Sequence, residues 1–407
     1  MKEFFTVVDI EEAKHLARTF RPVATEHSPL SHANGRVLAT DLVADIDLPG
    51  FRRSTMDGYA VCAASTFGAS DSAPALLTIV GSVSMGTSAD MEVKPGQAAR
   101  ILTGGMVPPG ADAVVMVEHT EPIDETSLEV TRSVAPRENL IEADDDVRRG
   151  SVLLEGGVRL RPQEVGLLAA LGVVQVEVFA RPVVAIISTG DEVVRIDAVP
   201  APGQIRDVNS YTLGAMVERA GAIPRQHGIV GDDFESLLST CREALSTADV
   251  VLLSGGSSVG CRDLTLEVIE ALPGSRVLLH GVAIKPGKPT ILADVEGKAF
   301  WGMPGHVASA MVVFQVLVRH QLERIAGART MLPMPVPARL SRNVASVHGR
   351  RDYLRVRLDR RDGQLWAIPV LGKSGLIRTM VEADGLVEID RDAEGLDQGA
   401  EVWVHLL

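Results

Sequence analysis

Arg181-Pro-Val-Val-Ala-Ile-Ile-Ser-Thr-Gly-Asp-Glu192 is the stretch on which the fold turns. Arg181–Ser188 carries a continuous apolar run. A strand covered on both faces, as in a parallel sheet, reads this way, whereas a half-exposed strand alternates. A glycine and two carboxylates follow. The texture recurs in Val251-Leu-Leu-Ser-Gly-Gly-Ser-Ser-Val-Gly260 and in Phe300-Trp-Gly-Met-Pro-Gly-His306. Between them the apolar spacing predicts helices over Tyr211–Ala220, capped by Asn209 or Ser210, and over Phe234–Leu245. Asp232 and Glu235 are spaced there as an acidic capping box. Ile223–Val230, Val250–Leu253 and Lys298–Trp301 read as strands, and a helix follows from about Val307. Strands alternating with helices imply a doubly wound α/β domain.

Outward from that core the texture changes. Residues 4–20 read as a helix and Leu30–Ala44 as a connecting element. From Asp47 to about Asp144, short β-branched runs (Leu76–Val80, Ala99–Leu102, Ala113–Glu118, Ser127–Thr131) alternate with Gly and Pro turns, the mark of a β-rich domain. Arg161-Pro162 opens a helix that Gly172 closes. Met331–Pro337 reads as a proline-rich linker and the tail as a small β domain. The division expected is a discontinuous connecting domain (1–46 and 145–178), a β-rich domain (47–144), an α/β domain (179–328) and a C-terminal β domain (338–407).

With 407 residues the chain exceeds a single core. A net charge of −13 argues against general nucleic-acid binding, which needs a positive footprint. Three cysteines, Cys62, Cys241 and Cys261, show no CxxC, against a disulfide scaffold or structural zinc. The longest apolar stretch, Met311–Val318, is broken by Gln315 and is too short to span a membrane. The acidic N-terminal residues lack the apolar run of a signal peptide, so a cytoplasmic location is expected.

The chemistry is expected beyond the carboxyl ends of the α/β strands, where open parallel sheets bind ligands. Three glycine turns there let backbone N–H groups approach an anion, and none matches GxGxxG. Asp191, Glu192 and Asp263 share these loops, an oxygen-rich setting suited to Mg²⁺ beside phosphate. Asp263 also reads as a cap for a helix starting near Leu264, and Asp232 and Asp233 as caps. Asp249 precedes its strand and belongs to the wrong end of the sheet. Ile284-Lys-Pro-Gly-Lys-Pro289 holds two lysines on a stiff turn, an oxyanion site or a solvated basic turn. Asp57-Gly58 and Thr103-Gly104-Gly105 read locally as turns, the first as a hairpin. His306 reads as a hydrogen-bonding loop residue, and Cys261, with no histidine near it in sequence, as inert.

At these residues the chain resembles the bacterial molybdopterin molybdenumtransferases (MoeA), relatives of the gephyrin E domain and of plant molybdenum insertases. The resemblance runs through LPGFRRSTMDGYAV, RILTGGMVPPGADAVVMVEH, AIISTGDEVV, GQIRDVNSYTL, DVVLLSGGSSVGCRD, AIKPGKP, GMPGHVAS and PVLGKSGLIRTMVEADGLVEI. It implies an elongated four-part subunit with an α/β molybdopterin-binding domain, forming a homodimer. It also implies an enzyme that inserts a molybdate-derived metal into adenylylated molybdopterin with release of AMP. Mg²⁺ is the implied cofactor, and the molybdopterin adenylyltransferase an implied partner. The dithiolene sulfurs come with the substrate, so no cysteine cluster is needed.

By the same resemblance Asp57, Thr103, Glu192, Asp232 and Asp263 are catalytic, Asp57 and Thr103 lining the cleft from the other subunit. Thr189, Gly190, Ser254, Gly255, Gly256, Ser258, Gly260, Pro304 and Gly305 bind substrate. Lys285, Lys288, Ser309, Arg350 and Ser374 hold the oxyanion, and Asp191, Glu192 and Asp263 hold Mg²⁺. Two departures stand out: Pro304-Gly-His-Val-Ala-Ser309 replaces the family's Pro-Gly-Asn-Pro-Val-Ser, and Cys261-Arg262 precedes Asp263 where the pattern has an acidic and a small residue. The alternative readings are a tungstate-preferring insertase and a non-catalytic molybdopterin carrier.

Overall fold

The computed structural model describes residues 7–255, 259–329 and 334–407, with the backbone alone over 259–263. The chain divides into two compact units, one of Asp41–Gly156 with Pro162–Val174, the other of Met1–Thr40, Gly157–Arg161 and Gln175–Leu407.

The first unit is built on a six-stranded sheet in the order Ala113–Met116, Gly58–Val61, Gln97–Ile101, Ala75–Ser82, Ser127–Val130, Thr120–Pro122. Two apolar clusters, one around Leu77, Val115 and Leu128 and one around Ala99, Ile101 and Val114, form its core. The Asp57-Gly58 pair is not a hairpin, contrary to the local reading. Arg53–Ser54 pairs with Leu140–Ile141, and Gly58 opens a strand between Gln97–Ile101 and Ala113–Met116. A Cβ at Gly58 would stand 1.9 Å from the Val115 carbonyl oxygen, so close strand packing excludes a side chain.

The second unit contains the α/β sheet. Its elements are β1 (Val183–Thr189), α1 (Asn209–Arg219), β2 (Ile223–Val230), α2 (Phe234–Thr247), β3 (Val250–Gly255), α3 (Val259–Ala271), β4 (Ser275–His280), β5 (Ile291–Val295), β6 (Lys298–Met303) and α4 (Val307–Val313). The strand order is β2-β1-β3-β6-β5-β4. The first four run parallel, and β5 is antiparallel to both its neighbours. Side-chain alternation sends Val184, Ile186 and Leu252 to a core shared with α1 and the helix Ile10–Ala17. It sends Ala185, Ile187 and Leu253 to a core shared with α2 and α3. Both faces are covered, which is why the strands lack polar alternation.

The tail is a closed barrel. Arg351–Arg361, Gln364–Pro369, Val336–Leu340, Glu401–Leu406 and Gly385–Ile389 pair in succession, and the last returns to the first. Ile284–Lys285 adds to Arg351–Asp352 in parallel, which ties the lysine loop to this barrel.

Several local expectations are corrected. The N-terminal helix spans Ile10–Ala17 among the described residues. α1 begins at Asn209 itself; the Asp207 carboxylate accepts the Ser210 N–H at 3.0 Å and does the capping. Asp233, not Asp232, caps α2, accepting from the Ser236 N–H. α3 begins at Val259, so Asp263 is interior and no cap. Val336–Pro337, expected in the linker, already belongs to a barrel strand.

Candidate functional site

β1, β3 and β6 end side by side, and β2 leaves β1 in the opposite direction to β3. The crevice between the ends of β1 and β3 is therefore a topological switch point. Thr189 and Gly255 face each other in register across it. A Cβ at Gly255 would lie 2.1 Å from Thr189 Cγ2, so the two strand ends meet only because residue 255 is glycine. Gly190 has φ +138°, and a Cβ there would lie 2.6 Å from Glu192 Oε2. The turn thus folds the Glu192 carboxylate back over a bare backbone.

Carboxylates gather at this corner. Thr189 Oγ1 donates to Asp232 Oδ1 at 3.1 Å, and the Asp232 N–H donates to Asp191 Oδ1 at 3.0 Å. Asp207, buried, accepts from Ser188 Oγ at 3.0 Å. Asn209, expected only as a cap, ties the walls together. Its Nδ2 donates to Ser254 Oγ at 2.6 Å and to the Gly305 carbonyl at 2.8 Å. A sequence reading that assigned polar helix starts to capping had no means of finding this.

Two cavities open here. The first, of about 460 Å³, is lined by Thr189, Glu192, Asp207, Asn209 and Ser254 among others. The second, of about 370 Å³, is lined by Lys285, Lys288, Pro304, Ser309, Arg350 and Ser374 among others. Gly255, Gly305 and His306 line both.

The second cavity is cationic. Lys285 Nζ is 2.6 Å from Asp352 Oδ2, and Arg350 Nε is buried with no hydrogen-bond partner among the described residues. Gly287, between the lysines, has φ +118°, and a Cβ on it would meet Val313 Cγ2 at 2.5 Å. The backbone of the lysine turn is therefore packed against α4, while Lys288 is exposed. His306 Nδ1 lies 3.0 Å from Ser374 Oγ, and the Ala308 N–H donates to the Ser374 carbonyl at 3.0 Å. These bonds fix the barrel loop onto the start of α4.

The residues expected from sequence thus fall into groups. Thr189, Gly190, Asp191, Glu192, Asp232, Ser254 and Gly255 converge on the first cavity and its rim. Lys285, Lys288, Ser309, Arg350 and Ser374 converge on the second, with Pro304. Gly256 and Ser258 lie outside the described residues; Gly260 and Asp263 are placed in α3 by backbone alone, as is Cys261. Asp249 accepts the Val183 N–H at 2.8 Å, at the far end of the sheet. In the other unit, Asp57 accepts both the N–H and the hydroxyl of Thr103 at 2.7 Å. These bonds hold the exposed Asp57 carboxyl below the usual aspartate range. Among the described residues, no three His, Cys, Asp or Glu side chains converge closely enough to hold a metal ion. Oxygen donors at the carboxylate corner still fit Mg²⁺, which takes one or two carboxylates and completes its shell with water and substrate phosphate.

Three family models cover the chain in order: the MoeA N-terminal region (domain I and II) over 8–172, a probable molybdopterin binding domain over 185–324, and the MoeA C-terminal region (domain IV) over 337–407. A putative molybdopterin biosynthesis protein of Methanocaldococcus jannaschii is 35% identical over 383 residues, 92% of this chain and 90% of that one. The chain belongs to the MoeA family. A molybdopterin molybdenumtransferase of Bacillus subtilis is 31% identical over 412 residues, 100% of this chain and 96% of that one. The crystal structure of a MoeA protein of molybdopterin biosynthesis from a Pyrococcus species matches with TM-score 0.83 at 38% identity, covering 98% of this chain and 99% of that one. The multidomain MoeA architecture expected from the motifs is the one present. No helix among the described residues is long and apolar enough to cross a membrane.

Proposed function

We propose that this chain is a molybdopterin molybdenumtransferase, inserting molybdate-derived metal into adenylylated molybdopterin with release of AMP. The observation that carries the reading is the pair of cavities sharing Gly255, Gly305 and His306, one edged by carboxylates and the other by cations. The first suits the pterin and its phosphates, held by Thr189, Gly190, Ser254 and Gly255. The second suits a tetrahedral oxyanion, held by Lys285, Lys288, Ser309, Arg350 and Ser374. Arg350 Nε, buried and without a partner among the described residues, can donate to such an anion. The shared wall brings dithiolene and oxyanion together, which supplies proximity.

Asp191, Glu192 and Asp263 would hold Mg²⁺, which neutralises phosphate charge when bound. Asp232, which accepts a hydrogen bond from Thr189, would align water for attack at the phosphoanhydride. We further propose a cytoplasmic homodimer in which Asp57 and Thr103 complete the partner's cleft, with the molybdopterin adenylyltransferase as substrate donor. The four-part domain division, 1–46 with 145–178, 47–144, 179–328 and 338–407, is part of the same reading.

The test is AMP release, followed by chromatography, when molybdate is added to protein loaded with adenylylated molybdopterin. Wild type is expected to release AMP and yield metal-bearing product. Lys288→Ala should lose metal insertion, and Asp263→Asn should slow AMP release about 10²-fold, the scale of a lost charge-stabilising group. Molybdate-independent binding with no AMP release would replace the transferase with a carrier.

A further inference from the structure

The α/β sheet carries a cavity at its other end. Pro182 precedes β1 and Gly221 precedes β2, so both stand at the amino ends of the strands whose carboxyl ends form the site above. β1 has seven residues, so the two ends are about 20 Å apart at ~3.3 Å per residue. The cavity is about 400 Å³, and its lining includes Arg36, Arg159, Arg181, His32, Asn34 and Phe179.

The three arginines are held in place by the backbone of that same wall. Arg36 Nη2 donates to the Phe179 carbonyl at 2.8 Å and also meets the Glu26 carboxylate. Arg159 Nη1 donates to the Gly35 carbonyl at 2.8 Å. Arg181 Nε and Nη2 donate to the carbonyls of Gly221 and Ala222, each at 3.0 Å. Gly221 has φ +88°, and a Cβ on it would stand 2.8 Å from Arg159 Nη1. The absence of a side chain at 221 is what lets the Arg159 guanidinium lie against this wall.

Each guanidinium has five N–H donors, and the carbonyl bonds here engage one or two of them. A carbonyl fixes orientation but cancels no charge. Arg36 is paired with Glu26 and Arg159 lies within electrostatic reach of Glu323, whereas Arg181 is oriented by the neutral carbonyls of Gly221 and Ala222. In a chain of net charge −13, several guanidinium groups gathered at one concavity form a local positive site. Preorganised planar donors match phosphate oxygens well, because little side-chain entropy remains to be lost. Phe179, Pro182, Val37 and Ala326 supply an apolar wall, and the volume exceeds that of a bare tetrahedral ion.

We propose that this cavity is a second, separate anion site, taking a small phosphomonoester whose phosphate is held by Arg159 and Arg181 and whose organic part lies on Phe179. It does not depend on the chemistry assigned to the carboxyl end of the sheet.

The test maps arginine labelling by phenylglyoxal in the full-length protein, with and without AMP or inorganic phosphate as the probe. At least one probe should protect Arg159 and Arg181 severalfold while leaving exposed Arg276 and Arg361 unchanged. Arg181→Gln should weaken the binding of that probe at least fivefold in calorimetry, and Arg181→Lys should restore part of it. Lys288→Ala, in the lysine-lined cavity described above, should leave this binding intact. Protection by neither probe, protection confined to Arg350, or wild-type affinity in Arg181→Gln would each overturn the proposal. AMP release measured without added phosphate should be the same in Arg181→Gln and wild type.

Discussion

A methyl group at position 255 would stand 2.1 Å from Thr189 Cγ2 and 2.3 Å from its carbonyl oxygen. The Thr189 backbone, held in the parallel ladder, leaves little room to yield, so Gly255→Ala is expected to lower stability by about 1–3 kcal/mol, the range for overpacking. A denaturant titration measures this, and an unchanged midpoint would mean that the strand ends separate freely. Glycine at this point was visible in sequence, but its reason was not; turn and close approach look alike in one dimension. Asp57 shows the same gap. Local reading gave a hairpin, and the structure gives a carboxylate clamped by Thr103. Its folded pKa lies below the ordinary value, so the clamp is complete above the ordinary range. It is lost only as pH falls through the depressed folded pKa. Carbon-detected NMR of the Asp57 carboxyl should give a midpoint below that of a free aspartate, and Thr103→Val should move it back up.

Adjacent carboxylates at the start of α2 divide their work. Asp233 caps the helix through the Ser236 N–H, while Asp232 faces the site through Thr189. Asp233→Ala is therefore expected to lower the unfolding midpoint with little effect on turnover, and Asp232→Asn to do the reverse. Paired denaturation and AMP-release assays decide it. In the helix Arg319–Ile325, burial pushes the His320 pKa down from 6.5 to about 4, with Arg319 adding to the effect. The unfolded chain thus binds a proton that the folded chain refuses between those values. Stability is full above pH 6.5 and is lost as pH falls toward 4. His320→Gln should flatten the decline of Tm across that window in scanning calorimetry; an equally steep decline would remove His320 as its source. The helices and parallel strands of this domain were legible because both faces of the sheet are buried, which leaves unbroken apolar runs. Caps were misassigned because Asp, Asn and Ser serve equally well at several neighbouring positions.

At the scale of the whole molecule, the proposed dimer has a consequence that single variants do not test. If each cleft draws Asp57 from one subunit and Lys288 from the other, two inactive variants can complement each other. Mixing and re-equilibrating Asp57→Asn with Lys288→Ala subunits should restore up to about a quarter of wild-type AMP release, from heterodimers with one intact cleft. No recovery, or a monomeric mass by light scattering, would remove the cross-subunit cleft. The amino-acid sequence by itself determined the α/β domain, the glycine turns at its strand ends and the family, because buried strands and turn glycines leave local, ordered signatures. Only the tertiary structure decided that Lys285 joins the C-terminal barrel and that Asn209 spans Ser254 and Gly305. It alone gathered Arg36, Arg159 and Arg181 at the sheet's other end. Those groupings join residues about 20 to 145 positions apart, and contacts between such distant positions leave no period or spacing in the chain.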